Sequence, residues 1–145
     1  MSLQYTIIES EKLVYVIGEG EITLDELLNH LEELSRDPGY VPPMKKLVDY
    51  RKAQTMGPKK EEIDYFTGRM ASYKEVFQGE KCAIVVNNEL DFGISRVYSA
   101  KIEASGLETN VFRDIGKALR WLGVDLDEKR LGQVSADLEK SPSVS

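Results

Sequence analysis

Apolar positions along the chain switch between two spacings. Leu3-Gln-Tyr-Thr-Ile-Ile8 alternates weakly and predicts a half-exposed strand. Leu13-Val-Tyr-Val-Ile17 is apolar at consecutive positions, as in a strand covered on both faces. The short polar break Glu9 to Lys12 makes the pair an antiparallel hairpin. The spacing then becomes helical. Thr23-Leu-Asp-Glu26 is a capping box, and Leu24, Leu27, Leu28, Leu31 and Leu34 follow on one face. Asp37-Pro-Gly39 ends this helix, and Pro42-Pro43 prevents a restart.

The same alternation continues. Leu47-Val48 with Tyr50 predicts a strand ending near Asp49-Tyr-Arg51. Pro58 suits a first helical position, with Glu61 and Glu62 in the first turn. Ile63, Phe66, Met70, Tyr73 and Phe77 then mark a core face, and Gly79 stops the helix. Cys82 to Val86 is a second buried strand, broken by Asn87-Asn88. Leu90, Ile94, Val97 and Ile102 predict a third helix, running to about Ser105, with Gly106 terminating it. Leu107 to Arg113 is the last strand. Asp114 caps a short helix through Ile115, Ala118, Leu119 and Leu122, which Gly123 closes. Asp125 to Asp137 predicts one more short helix, and the last eight residues are expected to be disordered.

Repeated strand–helix–strand units demand a mainly parallel sheet. The predicted class is α/β: a mixed, mainly parallel five-stranded sheet with an N-terminal antiparallel hairpin and about four helices. Residues 1–123 form the predicted domain, and 124–145 a C-terminal extension. A chain of 145 residues is one domain, large enough to bury a core without a disulfide or metal.

Charge narrows the function. Lys plus Arg is 19 and Asp plus Glu is 25, for a net charge of −6. An acidic chain without a basic block argues against general nucleic-acid binding. Leu13 to Ile17 is far too short to span a bilayer. No leader pattern is visible in Met1 to Ser10, and a single cysteine permits no internal disulfide, so a cytoplasmic location is expected.

Few residues suggest chemistry. His30 flanks the leucine stripe with no local carboxylate or cysteine partner and reads as a surface histidine. Cys82 reads as a structural core cysteine, since neighbouring Lys81 points to the opposite strand face. No calcium loop, Walker sequence or complete glycine-rich fingerprint occurs, and no cofactor or metal is expected. No base, nucleophile or metal constellation can be assembled, so the chain reads as a non-enzyme.

Two regions suit binding instead. Open parallel sheets take ligands at the carboxyl ends of their strands. Those ends carry Asp49, Arg51, Asn87 and Arg113. The second helix has an outer face with Lys59, Arg69 and Lys74 beside the loop holding Thr55, a local excess of positive charge suited to an acidic partner. The competing readings are helix caps at the strand ends and a solvated helix face.

Several segments together resemble a known family. Leu13 to Ile17 leads into Gly20-Glu-Ile22 and a Thr-started helix. Gly106-Leu107 precedes the last strand, and Val111-Phe-Arg-Asp114 leads into Ala118-Leu119. The order is similar to that of the STAS fold of bacterial anti-sigma-factor antagonists, the SpoIIAA-like proteins. Arg96-x-Tyr98 with Trp121-Leu122 resembles an uncharacterised subgroup whose shape is linked to the lipid-carrying CRAL-TRIO fold. The resemblance implies a regulatory domain that contacts a protein partner through the loop and second helix after the third strand. Its alternative is a carrier of a lipid or another apolar or anionic small ligand. In the antagonists a serine before the second helix is phosphorylated. Here Asp49 to Gly57 holds no serine, and Thr55 is its only alcohol side chain. An open sheet edge carrying Tyr5 and Tyr15 further suggests a homodimer.

Overall fold

The computed structural model describes residues 3–54, 60–104 and 107–140. The strands are β1 (Leu3–Ile8), β2 (Leu13–Glu21), β3 (Lys45–Gln54), β4 (Lys81–Val85) and β5 (Glu108–Phe112). The helices are α1 (Leu24–Arg36), α2 (Lys60–Ser72), α3 (Glu89–Ala104), α4 (Ile115–Leu122) and α5 (Glu128–Lys140). A single 3₁₀ turn, Glu9–Glu11, joins the hairpin. The spatial order is β1-β2-β3-β4-β5, with β1 antiparallel to β2 and every other pair parallel.

That order steps one way across the sheet. Crossovers of one hand then place successive connecting helices on the same face. Leu31 and Leu34 of α1 and Phe66 and Met70 of α2 indeed share one core with Val16, Val48, Ile84 and Val111. The opposite face presents Leu13, Tyr15, Leu47, Ala83 and Val85. It is covered by Ile115, Ala118, Leu119 and Leu122 of α4 and by Leu131 of α5, which is 1% exposed. The all-apolar runs of β2 and β4 follow from this, since both faces are packed.

The start of α1 and both ends of α4 match their sequence signals. The Glu26 amide donates to Thr23 Oγ1 at 3.2 Å, and the Lys117 amide donates to Asp114 Oδ1 at 3.2 Å. Gly123 closes α4 with φ 72°, its N–H shared between the carbonyls of Leu119 and Arg120. Two lysines at the start of neighbouring strands reinforce that end. Lys45 Nζ donates to the Gly123 carbonyl at 3.3 Å, and Lys81 Nζ to the Trp121 carbonyl at 2.6 Å. They set positive charge at the negative end of the α4 dipole. Trp121 is half-buried and packs on Phe112, as a packing residue should.

Three details differ from the sequence reading. The second helix ends at Ser72, not at Gly79. There the Tyr73 and Lys74 amides bond three residues back, and Ser72 Oγ donates to the Arg69 carbonyl. The chain tightens into turns that still carry Phe77 into the core, at 1% exposure. The last helix runs on to Lys140, past Asp137. Tyr5 on the edge strand is also drawn inward, donating to Asp37 Oδ2 at 2.7 Å.

Candidate functional site

On the α4/α5 face, one cross-strand row reads Ile17, Asp49, Val85, Phe112. A carboxylate in such a row needs compensation. Arg51 supplies it. Residues two apart on a strand share a face, and Asp49 accepts from Arg51 Nε and Nη2, both at 2.9 Å, and from the Arg51 amide at 3.1 Å. Tyr15 Oη, two residues before Ile17 on β2, donates to the same carboxylate at 3.4 Å.

An irregularity in the ladder frees the Arg51 backbone for this. The register runs Ile17 with Asp49, then resumes at Glu19 with Lys52, so Tyr50 and Arg51 together oppose Gly18. The β3–β4 ladder has already ended at Asp49 and Val85. Side chains replace the missing strand partners: Asp49 takes the Arg51 N–H, and Asn87 Nδ2 donates to the Arg51 carbonyl at 2.9 Å. Gly18 is needed opposite this point. A Cβ there would lie 2.7 Å from Tyr50 Cδ1.

Beyond Asp49 the β2–β3 ribbon continues while β4 stops, and the two part. The gap is a cavity of about 520 Å³. Its sheet side is formed by Tyr15, Ile17, Asp49, Arg51 and Asn87. Its other wall is α5, through Glu128, Leu131, Ser135 and Ala136. Glu128 Oε1 accepts from Arg51 Nη1 at 3.0 Å and ties the helix to the sheet across 77 residues of sequence. Asp127 caps α5 just before it, accepting from the Arg130 amide at 2.8 Å.

The electrostatics hold the array in one state. Hydrogen bonding to Asp49, followed by that to Glu128, raises the Arg51 pKa, so the guanidinium stays charged. Burial, then the Asp49 charge, pushes the Tyr15 phenol well above its usual range, so it stays a donor.

The structure brings together Asp49, Arg51 and Asn87 of the residues marked out by sequence. Arg113 is exposed at the end of β5 and does not line the cavity. Arg69 and Lys74 are exposed on the α2 side, across the sheet from the cavity, and Lys74 lies beyond the helix end. Thr55 and Lys59 lie outside the described residues. Sequence reasoning missed Tyr15 and Glu128. Tyr15 carries a signal, because a hydroxyl within an aliphatic strand needs a buried partner. Glu128 carries none, being one acid among many on a helix.

No protein-family model matches the chain, and no curated protein matches it. Solved structures do. One is an uncharacterised protein of the DUF3478 family from Shewanella loihica PV-4, described as having a SpoIIAA-like fold. It aligns with a TM-score of 0.56 at 18% identity, over 83% of this chain and 94% of that one. This chain has a SpoIIAA-like fold.

The other face of the SpoIIAA-like sheet holds a second polar group, and it corrects one expectation. His30 is not on the surface; it is 8% exposed. It lies three residues after Leu27 and four before Leu34, on the apolar stripe itself. Its ring meets Tyr5 edge-on at 5.4 Å, and Nε2 has no hydrogen-bond partner. Burial, then the charge of Lys46, pushes its pKa down to about 2, so it is neutral. Nearby, Tyr40 Oη donates to Glu80 Oε2 at 2.6 Å, and burial raises the Glu80 pKa. Cys82 is half-buried against the same core, and burial, then Glu80, pushes its pKa up to about 12. A thiol in that state is a packing group rather than a nucleophile. Among the described residues no cluster of three or more His, Cys, Asp and Glu side chains could hold a metal, and no helix is long and apolar enough to cross a membrane.

Proposed function

We propose that this SpoIIAA-like chain is a non-catalytic binding domain that takes a small ligand in the cavity between the β2–β3 ribbon and α5. One observation carries the reading: a cavity of about 520 Å³ at the carboxyl ends of parallel strands, built around a fixed Tyr15–Asp49–Arg51 array. Its volume falls within the roughly 300–1,000 Å³ of small-molecule sites, and its place is where open α/β sheets bind ligands. Apolar walls from Ile17 and Leu131 stand beside a few oriented polar groups, which is how such sites combine affinity with orientation. Tyr15 and Arg51 each keep one protonation state around neutral pH, which favours recognition over proton transfer. This favours a small ligand over a partner docked on α2, because the oriented polar groups stand across the sheet from Arg69 and Lys74.

A blocking variant tests this. Gly132 lines the cavity, and a Cβ there would meet nothing within 4 Å. Gly132→Phe keeps α5 and fills the space. Saturation-transfer NMR with a mixed set of small acids, amides and amines should give binders to the native chain that Gly132→Phe loses. Binders that survive the block overturn the reading.

A further inference from the structure

We infer that the cavity selects a carboxylate-bearing small molecule with an apolar body, and that Glu128 is the chain's own occupant of the carboxylate position. The inference rests on the small-ligand reading above and names the ligand class and the element that responds to it.

Three observations converge. First, the Arg51 guanidinium is already oriented. Its Nε and Nη2 are committed to Asp49, so its Nη1 side faces the cavity in a fixed plane. A planar fork held this way matches a carboxylate. Second, a carboxylate is seated there: Glu128 Oε1 lies 3.0 Å from Nη1. Third, that contact is easily exchanged. The Glu128 side chain is 67% exposed and the Arg51 side chain 34% exposed, and ion pairs this open to water are weak. The Asp49 side of the guanidinium is different, since that carboxylate is 11% exposed. The deep contact orients the arginine, and the shallow one gives way.

Charge and shape specify the rest of the ligand. Asp49 is balanced by Arg51, and Lys52 by Glu19 at 3.9 Å, so with Glu128 turned out to solvent an incoming monoanion replaces the single negative charge withdrawn. A doubly charged phosphate would leave the pocket with excess negative charge. Ile17, Leu131 and Ala136 then receive an apolar body. Glu128 is the first residue of α5, so its release loosens the start of the helix that walls the cavity. Ligand capture would thus be read out as a change in α5.

The test uses the full chain and its Glu128→Gln variant, with octanoate, 4-phenylbutanoate, 4-phenylbutanamide and inorganic phosphate as probes. Amide chemical shifts follow each titration. Both acids should shift Arg51, Asn87 and the α5 residues from Glu128 to Ser135. Removing the internal competitor should tighten both acids about fivefold, the worth of one exposed ion pair, without tightening the amide. Phosphate should bind neither form. The two acids separate a fatty-acid source from a compact aromatic one. Equal acid affinity in both forms overturns Glu128 as the occupant. An amide that gains as much as the acids, or phosphate that binds at the cavity, overturns the carboxylate class. Acids that leave the cavity silent in both forms overturn the inference, while the survival or loss of binders under Gly132→Phe decides the underlying reading separately.

Discussion

Asp49 takes three hydrogen bonds from Arg51, two from the guanidinium at 2.9 Å and one from the amide at 3.1 Å. The pair stands where the β2–β3 register slips and where β3 leaves β4. One carboxylate therefore does two jobs: it satisfies a backbone amide that no strand reaches, and it holds a cation at the mouth of a cavity.

Asp49→Asn tests the first job. The amide keeps the shape but gives up charge-assisted bonds and leaves Arg51 N–H groups short of an acceptor. Stability in urea should fall by about 2 kcal/mol, with an unchanged denaturant slope. A midpoint equal to that of the native chain would show that the pair holds nothing.

His30 predicts a pH dependence with a definite sign. Its folded pKa, about 2, lies below the ordinary 6.5. Below about pH 6.5 the unfolded chain takes up a proton that the folded chain refuses, so the stability present above that pH is progressively lost. The slope is about 1.4 kcal/mol per pH unit for one proton. Glu80 works in the opposite direction, because its raised pKa keeps a proton that the unfolded chain releases above about pH 4.5. The comparison must therefore be with His30→Phe, which keeps the ring contact to Tyr5 and cannot titrate. The native chain should lose about 1.2 kcal/mol relative to the variant between about pH 6 and pH 5, a little under the full slope because the unfolded imidazole is only partly protonated at pH 6. A difference that stays constant over that interval means His30 is not buried neutral.

Cys82 should behave as a packing residue. With its thiol pushed to about 12, the thiolate fraction near neutral pH is on the order of 10⁻⁵. Maleimide labelling of the native chain should be slow and should accelerate only in denaturant. Cys82→Ala should cost about 1 kcal/mol through a small cavity, with ligand binding unaffected. Rapid native labelling contradicts the assignment.

The fold was largely legible because its elements announce themselves locally. The unbroken run Leu13 to Ile17, the Thr23 and Asp114 caps and the Gly123 stop all rest on neighbours in sequence, and all are where their chemistry places them. The end of α2 was not legible, because Tyr73 and Phe77 keep helical spacing although the amides of Tyr73 and Lys74 have turned to three-residue bonds. His30 misled for the opposite reason: a polar type occupies a position on the apolar stripe of α1, where its ring meets Tyr5 of β1. Within the site, Asp49 and Arg51 could be placed together, since a spacing of two on a strand is one face. Glu128 could not, because its partner is 77 residues away and only the packing of α5 joins them.

The most direct measurement maps where a small ligand meets the protein. Amide shifts of the full chain, followed during titration with the binders found by saturation transfer, give that location residue by residue. The expected result is a cluster at Tyr15, Arg51, Asn87 and Ser135, on both walls of the cavity. A cluster centred on Arg69 and Lys74, across the sheet, would contradict it and move the binding surface to α2.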